Sequence, residues 1–225
     1  MSLDSAAAAV EAVKPKLRGW LHAGTFPVAL VAGAVLVVLA PAGAPRAAAA
    51  VFAVTAVLLF GTSALYHRGT WSPRWEAVLR RLDHSNIFLI IAGTYTPFSV
   101  ALLPEGTART LLTFVWVGAM AGIAFRVFWV GAPRWLYTPV YAALGWVAVG
   151  YVGDFLRNGG VAVTALLLGG GLLYTAGAVV YGTKRPNPSP RWFGFHEVFH
   201  AFTVLGFAAH YVGVSLATYA AAPTG

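Results

Sequence analysis

The residues of this chain best placed to do chemistry are His196 and His200, four apart in an otherwise apolar stretch. On a helix that spacing puts two imidazoles on one face, about 6 Å apart, which suits a single zinc ion. His67 supplies a third imidazole, and three histidines with water in the fourth position are the pattern of a catalytic zinc centre. Three neutral ligands leave the ion its full charge, which would lower the pKa of that water towards about 7. A carboxylate beside it, Asp83, would then serve as general base or orient the water. Ser63, one turn before His67, could donate a hydrogen bond to the water or to an oxyanion. The segment His196-Glu-Val-Phe-His200 also matches H-E-x-x-H, in which the glutamate is the base of a metalloprotease. The two readings differ in their carboxylate: a protease needs Glu197, whereas the three-histidine centre needs Asp83 and leaves Glu197 about 100° round the helix, facing a loop.

What must position these residues is a membrane. Of the 225 residues, 59% are hydrophobic and 10% charged, and the mean hydropathy is +0.73, which excludes an ordinary soluble domain. Apolar runs predict an all-α membrane protein with seven spans near 20–41, 47–67, 84–104, 109–130, 134–153, 161–181 and 196–218. The division is a short segment 1–19, a membrane domain 20–218 and a tail 219–225. Pro27, Pro97 and Pro139 fall inside spans and predict kinks, with hydroxyls around Gly93-Thr-Tyr-Thr-Pro97 covering freed carbonyls. Twelve of the fifteen Lys and Arg lie on one side of this arrangement; Arg46, Arg109 and Arg157 lie on the other. The positive-inside rule then puts the N-terminus in the cytoplasm and the C-terminus outside. The formal charge of +8 is thereby read as topology, not as nucleic-acid binding. Asp4 and Glu11 in the first segment argue against a cleaved signal peptide.

With spans alternating in direction, Ser63, His67, Asp83, His84, His196, Glu197 and His200 all reach the cytoplasmic side. His22 and His84 read as snorkelling or capping residues near the interface, and Arg126 as a snorkelling cation. His210 lies about 21 Å beyond His196 along a helix and cannot share its site. With no cysteine, thiolate metal sites and disulfides are excluded. Gly169, Gly170 and Gly171 permit close helix contact within the bundle or between subunits, so oligomeric state stays open.

The stretches Lys16-Leu-Arg-Gly-Trp-Leu-His22, Ser63-Ala-Leu-Tyr-His67, Asp83-His84, Ala92-Gly-Thr-Tyr-Thr-Pro97 and His196-Glu-Val-Phe-His200 together strongly resemble the hemolysin III family. More distantly the chain is similar to the progestin and adipoQ receptors and the alkaline ceramidases. The resemblance implies a seven-helix fold with zinc near the cytoplasmic face, bound by His67, His196 and His200, with Asp83 holding the zinc water and Ser63 as its companion. It further implies a multi-pass protein of the cell (inner) membrane, linked to membrane lipid homeostasis. The expected activity is zinc-dependent hydrolysis of amide or ester bonds in a lipid or fatty-acyl substrate entering from the inner leaflet. Two other readings stay open: a lipid sensor with structural zinc, and a pore or transporter.

Overall fold

Long apolar segments in which Ala, Leu and Val predominate leave the backbone no way to satisfy its polar groups except within each segment, so the chain is helical. The structure is a computed structural model and describes residues 14–129 and 131–221. Asp4, Glu11 and the greater part of the 1–19 segment lie outside the described residues, as do the last four residues of the 219–225 tail. The helices are α1 (Trp20–Leu39), α2 (Ala44–Arg68), α3 (Pro73–Leu102), α4 (Glu105–Phe128), α5 (Arg134–Trp146), α6 (Val152–Thr183) and α7 (Phe195–Ala220), with a 3-10 turn at Val147–Tyr151 before α6. No strand occurs among the described residues.

Six helical stretches are long and apolar enough to cross a membrane, one fewer than the seven spans the sequence predicts. The difference lies in the 49 residues Trp135–Thr183, which form one nearly unbroken helical stretch. Straight, that stretch would be about 74 Å long. It is not straight. The Tyr137 and Tyr181 hydroxyls are 3.1 Å apart, and Trp146 Nε1 donates to Thr175 Oγ1 at 2.9 Å, so its two halves lie antiparallel. The reversal falls at Gly160, where φ 73° and ψ 179° interrupt the helix. Only glycine enters that region without steric cost. The sequence marks the place: Asp154, Arg157, Asn158, Gly159 and Gly160 lie between the spans expected at 134–153 and 161–181, and helix continues through most of these residues before the turn at Gly160.

Prolines 27, 97 and 139 lie within α1, α3 and α5. Around Pro97 the hydroxyls do not cover the carbonyl of Gly93. Thr94 Oγ1 donates to Ile90 O at 2.7 Å and Thr96 Oγ1 to Ala92 O at 2.9 Å. Tyr95 instead repairs a distant helix end: its hydroxyl donates to Gly145 O at 2.7 Å and accepts from Ala148 N–H at 2.6 Å, where α5 gives way to the 3-10 turn. The core running between the helices includes Phe52, Phe60, Phe88, Phe98 and Phe155, each at most 1% exposed. Consecutive helices run in opposite directions, so the starts of α1, α3, α5 and α7 and the ends of α2, α4 and α6 gather at one end of the bundle.

If Gly160 is the obligatory turn, Gly160→Ala should lower thermal stability by about 1–3 kcal/mol. Gly169→Ala, where a new Cβ meets no atom within 4 Å, should be neutral or slightly stabilising. Thermal unfolding of the two purified variants checks this.

Candidate metal centre

His67 is the penultimate residue of α2, and His196 and His200 occupy the first turns of α7. Their ligand atoms lie within 4.8 Å of one another, a group able to hold a metal ion. His67 Nε2 and His196 Nε2 are 3.2 Å apart. Nitrogen ligands 2.0–2.1 Å from a tetrahedral zinc ion stand about 3.3 Å from each other, so this pair already has the separation that the ion requires. The third ring, His200, is 2% exposed and its Nδ1 has no hydrogen-bond partner.

Asp83, on α3, brings Oδ2 to 3.6 Å from His67 Nε2, and the buried Ser63 lines the same cavity as Asp83. Asp83 is thus beside the three nitrogens without being one of their group. All five residues to which the sequence points are in one place. His210 is not among them: it sits farther along α7, its Nε2 bonded to Leu167 O at 2.9 Å.

Glu197 has a different task. It is 1% exposed; Oε2 accepts from the Gly194 N–H at 2.7 Å, capping its own helix, and Oε1 is ion-paired with Arg18. It does face a connecting segment, the one before α1, and is buried as the clamp between that segment and α7. That segment is also held by Lys16 N–H to Arg191 O and Leu17 N–H to Trp192 O, both 3.1 Å. Gly19 completes the join. At φ 80° a side chain is disfavoured, and a Cβ there would stand 2.7 Å from the Cβ of His67. With both carboxylate oxygens engaged elsewhere, Glu197 has the wiring of a structural cap, and the H-E-x-x-H match reflects helix capping.

Three residues are placed otherwise than expected. His22 does not snorkel: it is 2% exposed and stacks on His200, ring centroids 3.8 Å apart and planes 12° from parallel. Arg126 is likewise 2% exposed and lies over the Tyr137 ring at 4.3 Å. The only signal for His22 was its place three residues into the first span, one turn-depth equivalent to His196 in the last. His84 caps no helix either: it lies inside α3, with Nδ1 2.6 Å from Arg80 O and Nε2 3.4 Å from the Tyr181 hydroxyl.

The centre stands where two spaces meet. An apolar cavity bordered by Ile87, Ile91, Phe98, Phe155, Leu167 and Phe199 extends from it through the bundle as far as His210. A polar vestibule bordered by Lys14, Arg18, Glu76, Arg80 and Arg126 opens on its other side. Asp83, His84, Tyr181 and His196 line both.

Metal content measured by mass spectrometry on purified protein should be near one ion per chain and should fall severalfold or more in His67→Ala and His196→Ala. Glu197→Gln should retain the metal while losing stability. Metal loss in a folded Glu197→Gln protein would instead return the glutamate to the centre.

A family model described as haemolysin-III related matches residues 10–211. The hemolysin-3 homolog of Bacillus subtilis (strain 168) is 35% identical over 159 residues, 71% of each chain. The hemolysin-3 of Bacillus cereus is 34% identical over 158 residues, covering 70% of this chain and 69% of its own. The progestin and adipoQ receptor-like protein 1 of Caenorhabditis elegans is 25% identical over 186 residues, 75% of this chain and 43% of that protein. The match covers six of the helices described above and reaches into the seventh, so this chain belongs to the haemolysin III family of multi-pass membrane proteins, with distant similarity to the progestin and adipoQ receptors.

Proposed function

We propose that this protein is a zinc-dependent hydrolase of amide or ester bonds in lipid-like substrates, acting in the cell membrane. The observation that carries the reading is the position of three facing imidazoles and a carboxylate at the junction of an apolar cavity and a polar vestibule. An amphiphile laid along these two spaces has its acyl chain in the cavity and the bond between chain and head beside the histidines. His67, His196 and His200 hold the ion, and their separation fits it. Bound there, zinc supplies Lewis acidity and activates water near neutral pH.

The chain's own residues do the rest. Asp83 accepts the proton of the attacking water on Oδ2 and returns it to the leaving nitrogen or oxygen, a general base turned general acid. Ser63, buried on the same cavity wall as Asp83, serves as the hydroxyl donor that keeps its carboxyl in line. His22, stacked on His200, fixes the plane of that ring. The phenylalanines along the cavity exclude water from the acyl chain and leave the vestibule as the route for the water that is consumed.

The membrane arrangement proposed is seven crossings with Trp135–Thr183 crossing twice and turning at Gly160. The N-terminus is cytoplasmic, so the centre lies at inner-leaflet depth, open to substrate from that leaflet. The twelve basic residues on the centre's side support it.

Two measurements test the proposal. Purified zinc-loaded protein should release fatty acid from at least one member of an acyl-amide, ceramide and ester panel, followed by mass spectrometry. Asp83→Asn should cut the rate by about 10²–10⁴-fold while retaining the metal. No turnover across the panel would leave the sensor reading in its place. Because the chain contains no cysteine, single-cysteine variants report topology directly. Ser72→Cys should be labelled by an impermeant maleimide only from the cytoplasmic side, and Thr107→Cys only from outside.

A further inference from the structure

Arg126 is a buried cation without an anion. Near the end of α4, it is 2% exposed, yet the ion pairs among the described residues join Arg18 to Glu197, His67 to Asp83, Arg109 to Glu105 and Arg157 to Asp154. No described carboxylate pairs with Arg126. Its guanidinium is charged at any accessible pH and carries five N–H donors. Against these stand the face of Tyr137 at 4.3 Å and one long hydrogen bond, Nη1 to Trp129 O at 3.5 Å. Nε is buried with no partner. Burying such a group is costly unless something neutralises it, and a snorkelling arginine would have reached water.

The guanidinium borders the vestibule, alongside Asp83 and His196. Tyr137 connects the two places: under Arg126 on one side, its hydroxyl is 3.1 Å from that of Tyr181, whose ring is 5.7 Å from His196. The vestibule's other charges favour an anion. Lys14, Arg18, Arg80 and Arg126 face Glu76 and Asp83 across it, and among the described residues only Arg18 of the four cations is held in an ion pair. A planar guanidinium with unused donors recognises oxyanions in bidentate fashion.

We propose that Arg126 binds the oxyanion head group, a phosphate or carboxylate, of an amphiphile whose chain occupies the apolar cavity. This deepens the hydrolase reading and rests on it for the seating of the chain: the substrate class becomes acyl lipids with an anionic head. Tyr137 fixes the guanidinium's plane, and the head then lies in the vestibule with the acyl linkage at the histidines.

The test is equilibrium binding to zinc-loaded full-length protein in nanodiscs of uncharged lipid. The probes are lauroyl lysophosphatidate, laurate, uncharged monolauroylglycerol and inorganic phosphate. Wild type should bind at least one anionic amphiphile about tenfold more tightly than the uncharged one. Arg126→Gln should remove that preference while its affinity for monolauroylglycerol, which also reports folding, stays within about twofold. Arg126→Lys, with charge but no fork, should keep part of the preference. Displacement of the amphiphile by millimolar inorganic phosphate assigns the subsite to free phosphate; no displacement assigns it to the lipid's own head. Equal binding of charged and uncharged probes by wild type overturns the proposal, as does a preference that survives Arg126→Gln unchanged. Turnover is followed on the same samples. Preference without product would sink the hydrolysis and leave the subsite standing, and product with no preference would do the reverse.

Discussion

Everything at one end of this bundle depends on keeping two imidazole nitrogens 3.2 Å apart, with a third beside them, in surroundings made of apolar helices. Without a cation, the pair is at hydrogen-bond distance only if one ring carries its proton on Nε2 and donates to the other. With a cation, all three lone pairs have a common partner. The arrangement is therefore under tension in one state and satisfied in the other, and the helices bearing the rings have to be held against that tension.

The holding is done by residues that take no part in coordination. Glu197 joins the cap of α7 to Arg18, so the helix carrying His196 and His200 cannot turn without moving the segment that precedes α1. Gly19 in that segment lies against the Cβ of His67, and His22, one turn further, stacks on His200. The first two helices and the last are thus locked around one point. This gives the Lys16-Leu-Arg-Gly-Trp-Leu-His22 stretch its physical meaning: a cation for Glu197, a gap for His67 and a flat surface for His200.

The ligand set was legible in the sequence because ionisable groups in apolar runs are few and helical spacing fixes which can meet. His67, Ser63, Asp83, His196 and His200 could be brought together by counting spans and directions alone. The tasks of Glu197, His22 and Arg126 could not. Each depends on a partner from a remote helix, and a pattern such as H-E-x-x-H has the same letters whether its glutamate faces an ion or caps its own helix. The place where Trp135–Thr183 reverses was legible, in the polar and glycine-rich Asp154-Phe-Leu-Arg-Asn-Gly-Gly160, but not how: helix runs through most of that segment, and the turn is made by the φ of Gly160 and closed by contacts such as Trp146 with Thr175.

The depth of the centre follows from the same alternation of helices. A metal site at the middle of the bilayer would need water brought to it through lipid-facing helices. One in the loops would have no acyl chain beside it. Histidines placed in the last turn of α2 and the first turns of α7 fall between these limits, with polar side chains such as Arg80 and Glu76 above and Phe98 and Phe155 below. A bond that joins a polar head to an apolar chain lies at that same boundary in any membrane. The chemistry available to three imidazoles and a carboxylate is generic to many hydrolases; under the function proposed above, it is their level in the bundle that restricts them to amphiphiles. Selectivity among amphiphiles must then come from what lies above and below, from the cations of the vestibule and the length of the cavity.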